Sequence, residues 1–383
     1  MIDPGFFYAK LGERGTEFFT GVPDSLLKGF CAYITVHAEE EGHVAAVNEG
    51  AAVALASGYY LATEKIPLVY MQNSGIGNAV NPLLSLADPE VYSIPLLLVV
   101  GWRGEPGVYD EPQHVKQGKV TEELFRTMGI PCAVLDSDQG GLDSQLDAAY
   151  AHLRGKNSPY AFLVRKDTFA PYPQGAGRED IKAEMSREDA IEEILRFSRE
   201  GEFFFSTTGM ASRELYELRE KLGQGHRRDF LTVGSMGHAS QIALGAALRK
   251  PGLRITCIDG DGAALMHLGA LAAIGNRKPR NFRHILLNNG AHDSVGGQPT
   301  IAGGAGGLDF SIIARACGYE SVYSVHTRIT LRSALERIEN RREGPVFLEV
   351  QVRKGARKDL GRPKSPLENK RLFMNSLKEA GDL

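Results

Sequence analysis

The chain has 383 residues, 44 of them basic and 47 acidic, giving a formal net charge of −3. That length is enough for two ordinary domains with full cores. The even charge balance excludes a nucleic-acid polyanion or an anionic membrane surface as the main partner. The four cysteines, Cys31, Cys132, Cys257 and Cys317, stand singly among apolar neighbours, which reads as buried thiols in a reducing compartment. Residues 1–5 lack a basic leader with an apolar core, and no stretch reaches membrane-spanning length, so a soluble cytoplasmic enzyme is expected.

Taken in order, the first half alternates two kinds of segment. Apolar runs at 18–20, 44–47, 68–72, 96–100, 132–135 and 161–164 read as strands, and intervening segments such as 49–63 and 121–128 suit helices. Residues 167–185 break the rhythm with Pro171, Pro173, Gly175 and Gly177, which places an interdomain linker at 171–185. Ser186-Arg187-Glu188-Asp189 then has the pattern of a helix N-terminal cap, opening a helix that runs through Phe197. The second half repeats the alternation, with strands expected at 203–206, 231–233, 254–258, 284–287, 322–325 and 346–352 and helices at 212–222, 238–249 and 331–340. The expected fold class is α/β, with two doubly wound, mainly parallel-sheet domains at 1–170 and 186–353 and no central third domain. The 44 glycines are spread along the chain and fit many tight strand-to-helix turns. A basic tail, 354–383, carries Arg357, Lys358, Arg362, Lys364, Lys370 and Arg371. It is either a solvated extension packed over the body or a lid offering cations to an anionic substrate.

One stretch organises the second domain: the strand 254–258, Gly260-Asp261-Gly262, a helix over 263–274, the strand 285–287, and Asn288-Asn289. In a βαβ unit both strands present their C-terminal ends on one edge of the sheet, where ligands of open α/β sheets bind. Asp261 and Asn289 are therefore expected to meet. A carboxylate, an amide oxygen and a main-chain carbonyl form a hard-oxygen set suited to Mg²⁺, and the glycines leave main-chain N–H groups open to phosphate. Gly-Asp-Gly alone is also an ordinary turn, and Asn-Asn an ordinary loop. In the first domain, Val44-Ala45-Ala46-Val47-Asn48-Glu49-Gly50 runs a short apolar strand into Glu49 at the head of an alanine-rich helix. A glutamate in a first helical turn is commonly just a solvated, dipole-compatible residue.

Taken together, these two stretches resemble the thiamine-diphosphate (ThDP) enzymes. The sequence as a whole is similar to the phosphonopyruvate decarboxylase family of 2-oxo acid decarboxylases, and also to sulfopyruvate decarboxylases. Phe19-Thr20-Gly21-Val22-Pro23-Asp24-Ser25, Asp110-Glu111-Pro112-Gln113-His114 and Gly234-Ser235-Met236-Gly237-His238 are among the stretches that carry the likeness. The resemblance implies that 1–170 binds the pyrimidine of ThDP and 186–353 its diphosphate. It makes Glu49 the carboxylate that activates the pyrimidine ring, partly desolvated so that it shares a proton with the cofactor. It makes Asp261, Asn289 and the Ala291 carbonyl the metal ligands, with Asn288 the alternative because the spacing from Asp261 is one residue longer than in the more familiar pyruvate decarboxylases. Gly260, Gly262 and Ala263 then face the diphosphate, Met236 wedges the cofactor into its bent shape, and the Gly234 carbonyl receives the aminopyrimidine. A homodimer or higher oligomer, with active sites at the subunit interface, is implied as well.

For the substrate, Asp24 and His114 are candidates for polar and proton-relay work, although a turn-capping role would equally explain Asp24. A phosphonate needs guanidinium or ammonium partners. Arg103, Lys116 and Lys119 in a segment read as a substrate-facing flap, and Arg357, Lys358 and Arg362 in the tail, are the cations at hand. The expected reaction is decarboxylation of phosphonopyruvate to phosphonoacetaldehyde and CO₂. Sulfopyruvate or another small 2-oxo acid is the alternative substrate. A non-catalytic ThDP- or nucleotide-binding module is the alternative of another class. Fusion of both domains in one chain tilts the reading toward the phosphonate.

Overall fold

The computed structural model describes residues 1–173, 183–303, 307–340, 344–361 and 365–381. The chain separates into two compact units, Met1–Gly177 and Arg178–Leu383. Most of the expected linker 171–185 lies outside the described residues.

The first unit is built on six parallel strands: β1 (Phe19–Gly21), β2 (His43–Ala45), β3 (Leu68–Gln72), β4 (Leu97–Gly101), β5 (Cys132–Val134) and β6 (Tyr160–Val164). They lie in the order β2-β1-β3-β4-β6-β5. β4 is buried along its whole length and β3 along nearly all of it, as expected for strands covered on both faces. Phe7, Phe19, Phe30 and Phe169 pack in one core, and Val69, Val100, Trp102 and Phe125 in another. The helix Glu49–Thr63 follows β2, with the Asn48 side chain accepting from Ala51 N at 2.8 Å as its N-cap.

The second unit has β7 (Phe203–Ser206), β8 (Asp229–Leu231), β9 (Ile255–Gly260), β10 (Phe282–Asn288), a short hairpin of β11 (Ala291–His292) and β12 (Gln298–Pro299), then β13 (Ser321–Val325) and β14 (Val346–Gln351). Its main sheet runs β13-β14-β10-β9-β7-β8. Numbered within its own unit, each six-stranded sheet has the same order, 2-1-3-4-6-5. In both, the strand order reverses between the first and third strands, where an open parallel sheet has its crevice. The expected cap at Ser186 forms a full capping box with Asp189 and opens the helix Arg187–Phe197.

Two expected elements differ from the structure. The single helix over 263–274 is two, Asp261–Met266 and Ala270–Arg277. The break falls at 267–269, where the His267 ring packs on His238 with centroids 4.3 Å apart. The flap over 103–119 is loop only as far as Glu111, because Pro112 starts a helix that runs to Thr127 and carries His114, Lys116 and Lys119. The described part of the C-terminal tail lies on the body. Its helix Pro366–Gly381 sends Phe373 among Phe203, Phe205 and Phe230. The Asn369 amide accepts from Leu231 N at 3.2 Å and donates to Asp229 O at 2.8 Å. All four cysteines are free thiols, and no helix among the described residues is long and apolar enough to cross a membrane.

His43 in β2 gives the first unit a pH response. Burial pulls its pKa down to about 4, and Nε2 lies 2.8 Å from the Tyr70 hydroxyl. The unfolded chain takes up that proton near pH 6.5, so the neutral ring's contribution is complete above about 6.5 and is lost as pH falls toward 4. Wild type should lose about 1–2 kcal/mol more stability between pH 7 and 5 than His43→Gln does. Urea unfolding followed by Trp102, the chain's single tryptophan, measures this; equal losses would refute it.

Candidate active site

In the second unit the site begins with a register. β9 and β10 pair in parallel with Gly260 opposite Leu287, so the residues following each strand emerge at the same edge. Asp261 is 2 % exposed. Its Oδ2 accepts from Thr300 Oγ1 at 2.5 Å, and main-chain N–H groups of Asp261, Asn289 and Gly262 also point to it. Burial nevertheless outweighs these donors and raises its pKa to about 6. A buried carboxylate so incompletely compensated is stabilised by a nearby cation.

The two asparagines part company. Asn288 ends β10 with Nδ2 donating to Glu349 Oε1 of β14 at 2.9 Å. Asn289 turns the other way, its Nδ2 donating to Asp293 Oδ2 at 2.7 Å and its Oδ1 accepting from Ala291 N at 3.1 Å. The β11–β12 hairpin then brings the chain back so that Thr300 reaches Asp261. Thr300 sits 39 residues from its partner and has no local pattern that marks it.

A side chain at Gly262 would displace its neighbours. A Cβ there would lie 2.8 Å from His292 Cε1 and 3.5 Å from Met236 Cε. Met236 is half-buried in the loop after β8, two residues beyond Gly234. That loop closes at Gly237, whose φ of +84° and missing Cβ let it approach Ala263 O. Gly260, Asp261, Gly262, Ala263, Asn289, Ala291 and Met236 thus gather at one sheet edge. The donors offered are oxygens, the set that suits Mg²⁺, and Gly262 keeps the approach to the main chain open, so the residues present fit a metal-bound diphosphate.

In the first unit Glu49 is 5 % exposed at the first turn of its helix. Its Oε2 accepts from Asn78 Nδ2 at 2.7 Å. Gly75 makes the space, because a Cβ there would stand 2.2 Å from Glu49 Oε1. Asp24 is fully buried after β1, at the reversal point between β1 and β3, accepting from Gln72 Nε2 at 2.6 Å and Leu26 N at 2.9 Å. The second bond is the turn-capping contact considered from sequence. Burial pushes the Asp24 pKa up, against the hydrogen bonds from Gln72 and Leu26.

Asp110, quoted from sequence as part of a family-like stretch but given no role, ties Arg103 to His114. It receives Arg103 Nε at 2.7 Å and Nη2 at 2.5 Å, His114 Nδ1 at 2.9 Å, and the N–H groups of Gly104 and Glu111. Burial opposes its ionisation, yet these donors together hold its carboxyl well below the usual range. Arg103 Nη1 also donates to Ser25 Oγ at 2.8 Å. Burial lowers the His114 pKa, against the pull of Asp110, so at neutral pH Nδ1 carries the proton donated to Asp110 and Nε2 is left as the acceptor.

The remaining cations are placed differently. Lys116 and Lys119 are exposed on their helix. Exposed Arg357 pairs with Glu188 at 3.0 Å and Asp359 at 2.9 Å. Arg362 lies outside the described residues.

With Glu49 as the candidate acid–base group, Gly75→Ala should displace its carboxylate and cut turnover about tenfold or more, while leaving the fold's unfolding midpoint nearly unchanged. Steady-state rates beside urea curves check this; a full rate would show that Glu49 has room to spare.

Comparison with known proteins gives a consistent picture. The family model described as thiamine pyrophosphate enzyme, N-terminal TPP binding domain, matches residues 6–124, and its C-terminal TPP binding domain counterpart matches 208–350. A phosphonopyruvate decarboxylase of Streptomyces hygroscopicus is 34% identical, the alignment covering 97% of this chain and 93% of that one. A sulfopyruvate decarboxylase of Methanosarcina acetivorans is 28% identical over 95% of each chain. The sulfopyruvate decarboxylase subunit beta of Methanocaldococcus jannaschii is 38% identical over 36% of this chain and 68% of its own.

Proposed function

Because the chain belongs to the thiamine pyrophosphate enzymes, and is a carboxy-lyase of that family, we propose that it decarboxylates 3-phosphonopyruvate to phosphonoacetaldehyde and CO₂ with ThDP and Mg²⁺, in phosphonate biosynthesis. The observation that carries the substrate assignment is the 34% identity to a phosphonopyruvate decarboxylase over nearly the whole of both chains. Fusion of the two halves, which tilted the sequence reading, does not discriminate, because the Methanosarcina sulfopyruvate decarboxylase matches along one chain too. Membership of an enzyme family sets aside the binding-only module.

When bound, ThDP supplies a carbanion that adds to the keto carbon of a 2-oxo acid and accepts the electrons left by departing CO₂. In this proposal residues 1–170 hold the pyrimidine and 186–353 the diphosphate. Glu49 shares a proton with the pyrimidine ring, its carboxylate steadied by Asn78. Asp261, Asn289 and the Ala291 carbonyl hold Mg²⁺. Asn289 is preferred to Asn288 because its own main-chain N–H points at Asp261, which sets that residue beside the carboxylate. Gly260, Gly262 and Ala263 offer main chain to the diphosphate, Met236 packs beneath the cofactor, and the Gly234 carbonyl receives its amino group. His114 moves a proton at Nε2, its ring oriented by Asp110, and buried Asp24 provides a polar wall. Arg103 is the first choice to bind the phosphonate: Asp110 takes one edge of the guanidinium and Ser25 one Nη1 proton, which leaves N–H groups on Nη1 and Nη2 for an anion. Lys116, Arg357 and Arg362 are secondary candidates. We place the enzyme in the cytoplasm as a homodimer or larger oligomer with active sites at the subunit interface.

Turnover of phosphonopyruvate, sulfopyruvate and pyruvate, compared side by side, tests the substrate. A clear preference for phosphonopyruvate is expected, and preference for either rival overturns the assignment. Glu49→Gln should lower kcat by about 100-fold or more while ThDP still binds; a variant that keeps its rate would dismiss the proton-sharing role. Arg103→Ala should raise KM for phosphonopyruvate by about tenfold or more, the cost of a charge-assisted contact, with a smaller change in kcat. An unmoved KM would take Arg103 out of the substrate pocket.

A further inference from the structure

The loop after β10 contains a buried charge system that the assignments above do not use. Arg187, the first residue of its helix, is 7 % exposed, and Glu214 is 2 % exposed. They form a two-pronged pair, Nε to Oε2 at 2.7 Å and Nη2 to Oε1 at 2.9 Å. The remaining arm of Arg187, Nη1, donates to Asp293 Oδ2 at 2.9 Å. The same oxygen receives Gly355 N at 3.0 Å and Asn289 Nδ2 at 2.7 Å. Three N–H donors therefore converge on one carboxylate oxygen.

An amide has two faces, and only its NH₂ can meet a carboxylate. The bond from Asn289 Nδ2 to Asp293 therefore sets which way round the amide stands, with Oδ1 on the side of the Ala291 main chain, where its N–H is 3.1 Å away. Turning the amide over would set its oxygen against Asp293 and strand a buried donor. Accepting from Nδ2 also draws electron density toward Oδ1, which strengthens it as a hard-cation donor. Asp293 Oδ2, with three donors already on it, has no lone pair to spare for a metal.

We propose that Asp293, held in place by Arg187 and the Gly355 main chain, is the positioning residue that presents the Asn289 amide oxygen to the metal. The Arg187–Glu214 pair and the start of the C-terminal segment are then part of the metal site's support. This rests on the reading of Asn289 as a ligand. It also gives Arg187 a task that its place in a helix-opening motif did not reveal.

The test measures metal binding directly, with the full-length chain stripped of metal, saturated with ThDP and titrated with Mn²⁺ while free ion is read by electron paramagnetic resonance. Asp293→Ala should weaken Mn²⁺ binding about 10- to 100-fold, the usual effect of losing a partner behind a metal ligand. Asp293→Asn, which keeps an oxygen able to accept the same donors, should stay within about fivefold of wild type. Wild-type affinity in a folded Asp293→Ala, or an Asp293→Asn as weak as Asp293→Ala, overturns the proposal. Should Asp293→Ala fail to fold, the paired variant Arg187→Gln with Glu214→Gln decides, because it takes the guanidinium from Asp293 without leaving the Glu214 carboxylate unpaired in the core. Loosened Asp293 predicts weaker Mn²⁺ binding in that pair. Unchanged or tighter binding overturns the proposal, tighter binding being what a carboxylate that itself ligates the metal would give once its arginine is gone. Asn289→Ala, run alongside, separates the two levels. If it binds Mn²⁺ as wild type does, the ligand assignment itself falls. If it binds weakly while the Asp293 variants do not, only the positioning role is lost.

Discussion

The site in the second unit depends on one constraint, the parallel pairing of β9 with β10. Parallel ladders offer no sideways adjustment without flipping every side chain to the other face, and here both faces are packed. With Gly260 fixed opposite Leu287, a carboxylate placed just after one strand and an amide just after the other must arrive together. The cost of that arrangement is visible in Asp261, whose carboxyl is pushed up by burial even with Thr300 and three main-chain donors around it. The hairpin that returns Thr300, the Gly234–Gly237 loop and the hydrogen bonds around Asn289 are all packed about this one under-compensated oxygen pair.

The first unit solves a related problem with the same strand order and different side chains. Its reversal point lies between β1 and β3, and the buried group there is Asp24, tied to Gln72 across the two strands. In both units a glycine makes room for a polar ring or carboxylate at the edge. Gly75 yields to Glu49 and Gly262 to His292. Loss of hydration outweighs the fixed donors around Asp24 and Asp261 and raises the pKa of both, and these candidate residues are among the most buried polar side chains of their units.

Much of this was legible in the sequence, and the parts that were not have a common cause. Apolar runs located the central strands of both main sheets closely, because buried parallel strands are hydrophobic without interruption, while β8 forms at Asp229–Leu231, two residues before the expected 231–233. The capping pattern at Ser186 and the alanine-rich start at Glu49 were local signals, and both elements form as read. The break at His267–Gly269 was hidden because Ala263–Ile274 is helix-compatible throughout, and the turn is decided by packing against His238. The roles of Thr300, Asp110 and Asp293 escaped for a different reason. Their importance lies in partners brought close only by the fold, as with Arg187 and Asp293, 106 positions apart. Sequence could nominate Asn288 or Asn289, but their opposite allegiances, to Glu349 and to Asp293, exist only once β14 and the loop are in place.

The last helix has a consequence of its own. β8 closes one side of the second sheet, and a border strand with open N–H and C=O groups is a template on which another chain can add. Asn369 covers that border with a single side chain, accepting from Leu231 and donating to Asp229 as a neighbouring strand would. Phe373 fastens the helix over Phe203, Phe205 and Phe230. A shortened chain lacking this helix would keep every ladder of the sheet and still present a bare strand to its neighbours, so its characteristic failure would be self-association, with the individual molecules still folded.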